Sequence, residues 1–257
     1  MKSILIVLGL VTLLILTSCG SSKNLTPAVQ RVPPKFDYTS QAQADIASTN
    51  MTIVLIKPTF VSEIAELLEP PFPEMAISMG NDFEELLTAK GFTIRGPFAS
   101  TSEMVYNDKV NSSFILQIQI DLRPEQTVNL TKHSKTTAAN LLLASEPLAY
   151  VTYTTDGDIS FGGNLVLTAL SPQYGEKIWK KNIALDRTTF KYVGTYKWDS
   201  YPTIARQLKY DNGVFNTVSI ELEKFYNYAL DLVWRQIDPE EMKIVTEQAK
   251  KADKKGN

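Results

Sequence analysis

Among 257 residues there is a single cysteine, Cys19, and a single histidine, His133. No disulfide can form within the chain, and neither the usual zinc ligand sets nor a Cys–His nucleophilic pair can be assembled from it. His133 lies between Lys132 and Ser134 with Lys135 beyond, and no carboxylate beside it orients an imidazole for catalysis, so it reads as a solvated loop residue. The glycines build no phosphate-cradling loop and no Gly-x-Ser-x-Gly elbow; Gly162-Gly163 falls inside a strand pattern and marks a bulge or kink. An excess of one charge is missing too. With 26 basic and 28 acidic residues there is no basic footprint for nucleic acid and no polybasic patch for anionic lipid. Nothing in the pattern asks for a metal or a cofactor.

What is present begins at the first residues. Lys2 precedes an unbroken apolar run from Ile4 to Leu16, 13 residues, or about 20 Å as a helix, which suits a signal-peptide core better than a bilayer span. The run ends in Leu16-Thr17-Ser18-Cys19, a bacterial lipobox. Small residues at 17 and 18 fit a signal peptidase, and the Cys19 thiol takes a diacylglyceryl group. Residues 1–18 are therefore expected to be a lipoprotein signal peptide. Cys19 becomes the first residue of the mature chain, held on a membrane by acyl chains, palmitate among them. Gly20 stands where an aspartate would mark inner-membrane retention, so the expected localisation is the outer membrane, on its cell-surface or periplasmic face.

Residues 19–50 read as a lipidated N-terminus and flexible tether, with Ser21, Ser22, Pro27, Pro33 and Pro34 among polar residues of no fixed period. A buried strand is expected over 51–56, and a helix carrying Met75, Met79, Phe83, Leu86 and Leu87 on one stripe, closed by Gly91. Ser100 and Glu103 form a capping-box pattern opening a short helix through Asp108. Phe114, Leu116, Ile118, Ile120 and Leu122 alternate with polar residues as a half-buried strand. Strands are expected over 147–156 and 159–170, joined by a hairpin at Asp156-Gly157, and then over 177–185. A long helix follows over 214–237, with Val218, Leu222, Phe225, Ala229, Leu232 and Val233 aligned, and Pro239 opens a polar C-terminal helix. The expected fold is a single α+β domain over 51–257, an antiparallel or mixed sheet with helices packed on one face.

Adjacent carboxylates occur at Glu84-Glu85, Asp156/Asp158 and Glu240-Glu241. On a helix, consecutive residues point about 100° apart, so Glu84-Glu85 read as a solvated face. Asp156 and Asp158 read as turn residues flanking glycine. The pattern thus speaks against an enzyme, leaving an envelope-glycan hydrolase as the minor alternative. Tyr174, Trp179, Tyr192, Tyr196, Trp198 and Tyr201 interleave with six basic residues between 174 and 201. They form either a sugar-stacking surface or core rings on a lysine-protected edge strand.

Three stretches carry a resemblance to a known family: Lys57-Pro58-Thr59-Phe60 after the first strand, Glu85 to Ile94, and Ile118 to Pro124 with its terminal Leu122-Arg123-Pro124. On these the chain resembles the neuraminyllactose-binding hemagglutinin lipoproteins, described as adhesins for sialylated glycans and as flagellar-sheath proteins. The resemblance implies a cell-surface or outer-membrane lipoprotein, and it places sialic-acid binding in a basic segment after Leu-Arg-Pro. That position here is Glu125 to Lys135, so Arg123, Lys132 and Lys135 become the candidate glycan-binding residues. Adhesin-like binding of a glycan or host surface is the leading expectation. A structural or assembly lipoprotein of the envelope or flagellar sheath, docking a protein partner, is the alternative.

Overall fold

The computed structural model describes residues 29–39, 47–61, 63–136, 149–196 and 201–255. The signal segment, Cys19 and the early tether lie outside them. Eight strands form one mixed sheet: β1 (Thr52–Ile56), β2 (Thr59–Phe60), β3 (Thr93–Phe98), β4 (Phe114–Leu122), β5 (Glu125–Gln126), β6 (Asn129–Thr136), β7 (Ala149–Leu170) and β8 (Lys177–Tyr196). Among the described residues the six α-helices are α1 (Ala65–Leu68), α2 (Phe72–Ala89), α3 (Tyr106–Val110), α4 (Ile204–Tyr210), α5 (Asn212–Gln236) and α6 (Pro239–Lys255). β1 lies between β3 and β4, parallel to both, and β4 runs antiparallel to β7. The α+β expectation is met.

Helix α2 follows its period, with Met75, Met79, Phe83, Leu86 and Leu87 all buried. Helix α5 does the same along Val218, Leu222, Phe225, Ala229 and Val233. Both lie in one core with the inward rows of β1, β4 and β7. Phe161 of β7 sits at its centre, edge-on to Phe72 at 5.8 Å and tilted against Phe190 at 5.2 Å. A smaller core forms on Val54, Ile56 and Ile115 beneath Met104, because alternation sends these residues to the other sheet face. The expected capping box is a short 3₁₀ turn, Thr101–Glu103, in which Glu103 accepts the Ala99 amide at 2.8 Å.

No hairpin forms at Asp156-Gly157. The two strands expected at 147–156 and 159–170 are one strand, β7, running through the glycine without turning. Gly157 is there for close approach: a Cβ at this position would sit 2.1 Å from the Thr127 carbonyl oxygen. The strand expected to stop at 185 continues to Tyr196. A bulge at Gly162, opposite Asp186 and Arg187, explains why the pattern hid this. Ile183 and Leu185 are buried before it and Tyr192 and Gly194 after it, so the alternation shifts phase by one residue. β6, including His133, is a strand and not a loop; its residues 129–133 are all exposed, so it has no apolar period to read.

Within the segment expected as tether, residues 31–39 pack on the domain. Arg31 stacks over Phe215 at 4.1 Å, and the Val32 amide donates to Asn216 at 2.8 Å. The Lys35 amide donates to Glu223, Phe36 packs on Tyr226 at 5.1 Å, and the Tyr38 amide donates to Asp82 at 2.7 Å. Phe36 and Tyr38 are buried. This strap runs along α5. Seven extended residues cover roughly 23 Å, the same as about fifteen helical residues from Asn216 to Asp231. Its amide donors recur every third residue, the repeat that Pro33-Pro34 favours through polyproline II geometry. The globular unit therefore starts before Met51.

Asp82 closes the strap. It is buried on α2 and accepts from the Tyr226 hydroxyl and the Tyr38 amide; burial, the dominant effect, raises its pKa above the ordinary carboxylate value. The Tyr38 hydroxyl donates to Asp231 at 2.9 Å, and burial with that carboxylate pushes its pKa up to about 12. A raised carboxyl pKa contributes stability below the unfolded value near 4 and loses it as pH rises through the folded value. Asp82→Asn keeps an acceptor and removes the titration. Its stability in urea is expected to gain on wild type between pH 4 and 7. Asp82→Ala orphans two donors and is expected to cost about 1–3 kcal/mol at either pH.

Candidate functional site

β7 carries β8 along one side and β4, β5 and β6 in succession along the other. Residues directly opposite one another share a sheet face. The row Leu130–Thr155–Gly194 faces α4 and α5: Thr155 and Gly194 are buried there, and the Gln207 amide donates to Thr155 at 2.8 Å. Gln207 also accepts from Gln126, which donates to the Tyr192 hydroxyl at 2.8 Å. Tyr192 closes this buried polar set, and burial raises its pKa. The polar groups bind one another and fix the sheet against α4.

The rows between them face away from these helices. Asn129–Asp156–Val193, Thr131–Thr154–Thr195 and Asp158–Lys191 alternate with the buried rows. A cleft of about 490 Å³ opens here, lined by Asn129, Thr154, Asp156, Asp158, Lys191 and Val193. Asn129 donates to Asp156 at 3.1 Å, and Val193 lies 67 % exposed beside them. Two carboxylates against one ammonium, with amide and hydroxyl groups around them, make a hydrogen-bonding surface for a polar ligand. Farther along β8, Arg187 grips Glu125 with both terminal guanidinium nitrogens, one at 2.7 Å. This pairing, through its hydrogen bond, draws the Glu125 carboxyl below its usual pKa.

Neither this cleft nor the Arg187–Glu125 pair stood out in the sequence; the only signal was the alternation of Lys191, Val193 and Thr195 with Tyr192 and Gly194. A second cleft of about 540 Å³ lies between α3 and α6, but Lys243 and Lys250 on its wall already pair with Glu240 and Glu247.

The three candidate glycan residues do not converge. The Arg123 amide bonds opposite Gly162, whereas Lys132 pairs with Tyr153 and Lys135 with Tyr150. Nine and twelve strand residues separate these positions, about 30 and 40 Å along β7. Arg123 already holds Asp121 with two nitrogens, at 3.1 and 3.0 Å. Of the aromatic stretch, Tyr192 is core, Trp179 donates to Glu241 at 2.9 Å, and Tyr174 and Tyr201 are exposed. Glu84 is half-buried and Glu85 exposed on α2. No helix among the described residues is long and apolar enough to cross a membrane.

Gly157→Ala is expected to drive a methyl group into the Thr127 carbonyl and loosen β5 from β7. Hydrogen exchange should show lost protection at Thr127 and Asp158, whose amides bridge the two segments, and stability should fall by about 1–3 kcal/mol.

No family model and no curated protein sequence matches the chain. Among solved structures, a neuraminyllactose-binding hemagglutinin homolog from Helicobacter pylori superposes with a TM-score of 0.51 at 14 % identity, over 86 % of this chain and 100 % of that one. The lipoprotein GNA1162 from Neisseria meningitidis gives 0.24 at 11 % identity, over 69 % of this chain and 99 % of its own, a score too low to carry an argument. What the chain shares with the Helicobacter protein is therefore a fold: a mixed sheet, open at its edges, with helices against it.

Proposed function

We propose that this chain is a non-enzymatic lipoprotein of the bacterial outer membrane, anchored through acyl chains on Cys19, whose bare β-face is an adhesin-like contact surface for a glycan or host surface. The observation that carries the anchoring is the lipobox, Leu16 to Cys19, placed twelve residues before a strap that fastens the chain to its domain. The fold shared with a hemagglutinin homolog supports the adhesin reading. The cleft supports a neutral or amine-bearing sugar over a sialylated one, because Asp156 and Asp158 oppose a ligand carboxylate and Lys191 alone attracts it. Arg31, Arg95, Arg123 and Arg187, the side chains best suited to a carboxylate, already hold protein acceptors.

One observation favours the alternative, an assembly lipoprotein that docks a protein. β8 pairs with β7 alone among the described strands and offers a 20-residue edge. Protease treatment of intact cells separates the two, since a surface adhesin is cut and a periplasmic partner protein is protected.

Cys19→Ala is expected to abolish palmitate labelling and move the protein from the membrane to the soluble fraction. Titration of the mature chain is expected to give saturable lactose binding at least as tight as sialyllactose binding, weakened about tenfold or more by Asp156→Ala through loss of a charged acceptor. Binding to sialyllactose alone would return attention to Arg123, Lys132 and Lys135. Binding to neither sugar would remove the glycan reading.

A further inference from the structure

The first half of β8 runs beside α6. Met242, Val245 and Ala249 turn that helix to the core, and Lys243, Glu247 and Lys250 line the cleft at the start of β1. The remaining flank faces β8. Glu241 accepts from Trp179 at 2.9 Å and from Lys181 at 2.8 Å, and Asp253 accepts the Gln173 amide at 3.3 Å. Ile244, Gln248, Lys251 and Lys255, at i, i+4, i+7 and i+11, stand exposed along the outer side of this flank, Ile244 by 62 %. The β8 backbone beside them is open. On β7 the carbonyls of Asp158 and Gly162 accept from Thr127 and Arg123, so its even-numbered residues bond towards β5 and β4 and its odd-numbered ones towards β8. Lys180, Asn182 and Ala184 lie opposite the even-numbered Thr168, Val166 and Asn164. Their N–H and C=O groups therefore point off the sheet, and no described residue bonds them.

We infer that the edge of β8 over residues 178–184, with the α6 flank beside it, is a docking site for an extended acidic segment of a partner protein, added as a further strand. Charge selects this occupant. Lys177 and Lys180 of β8 and Lys251 and Lys255 of α6 are exposed and form no ion pair with a described residue. Glu241 and Asp253 are already engaged, which leaves Glu176 in the turn against these four ammonium groups. A new strand lies about 4.8 Å beyond β8. Its side chains on the helix side meet Trp179 and Ile244, and those on the other side meet Lys180, so alternating apolar and acidic residues fit both. Two copies paired edge to edge would set their lysines against one another. The same charges that turn a second copy away admit an acidic strand. The site rests on the protein-docking alternative above and needs neither the Cys19 anchor nor the cleft at Asp156.

The test titrates the full mature chain, in neutral detergent, into fluorescent peptides that alternate Glu with Val or Lys with Val, each of about seven residues to span 178–184. The Glu peptide is expected to bind saturably and about tenfold or more tightly than the Lys peptide. Methylating the peptide nitrogens on the edge that meets β8 removes ladder donors and keeps every charge; binding is expected to weaken about tenfold or more. The double variant Lys180→Glu, Lys255→Glu is expected to weaken it as much, with circular dichroism confirming the fold. Lys57→Glu with Lys132→Glu makes the same change in net charge away from β8 and is expected to leave binding within about twofold. Equal binding of both peptides, no loss on methylation, or an equal loss in the control pair would overturn the docking site. A chain that sediments as a dimer and binds neither peptide would make a second copy the occupant and overturn the acidic partner. The protease treatment above reads the assembly alternative by itself: a domain cut on intact cells overturns that reading, while Glu-peptide binding lost with Lys180 and Lys255 still upholds the edge.

Discussion

The backbone ladder of β7 is the constraint on which the rest of the structure depends. Four strands hydrogen-bond to this one segment, β8 along one side and β4, β5 and β6 along the other. Such a strand has to stay extended for 22 residues while its neighbours end, cross over and begin again. The two glycine sites make that possible. At Gly157 the chain before β6 crosses at van der Waals limits, and at Gly163 a Cβ would fall 1.8 Å from the Asp121 carbonyl oxygen. The bulge at Gly162 re-aims the inward row, so that Phe161 reaches Phe72 and Phe225 while Tyr192, ten residues from Asn182 on the partner strand, still points to the helices.

Helices α2 and α5 cover one face of that ladder, and the strap fastens both. Its three amides are read by side chains of α5 and α2, not by another backbone, so the segment is bound as a peptide ligand is bound, through regularly spaced acceptors and two aromatic anchors. Asp82 is costly to bury as a carboxylate, and it is retained where it receives two donors at once. Among the described residues, the cover on the opposite sheet face is Met104 and its small cluster. Its polar rows are therefore available for a ligand, which is why the candidate site sits there.

Where burial is one-sided, the fold was legible. Met75 to Leu87, Phe114 to Leu122 and Val218 to Val233 each report their buried face through period, and the structure places these residues as that period requires. Legibility failed where another constraint wrote the same residues. Asp156-Gly157 has turn chemistry, yet its glycine answers a close crossing made by Thr127, a residue 30 positions away. β6 has no buried face, so no period marked it. Phe36 and Tyr38 were hidden among prolines and polar residues because an extended strap buries isolated side chains, not a stripe. The candidate site was less legible still. Asn129, Asp156 and Val193 are neighbours only through the register of three strands, and register is a long-range property. The basic residues singled out by family likeness lie along one edge of the sheet, separated by tens of ångströms.

The strap also sets how insertions and deletions are tolerated along its own length. Between Val32 and Tyr38, one deleted residue breaks the three-residue spacing. It cannot leave the amides on Asn216, Glu223 and Asp82 and also Phe36 and Tyr38 in their sockets. Related chains should therefore hold the length of this segment fixed, so the strap, and not the first strand alone, belongs to the inherited unit.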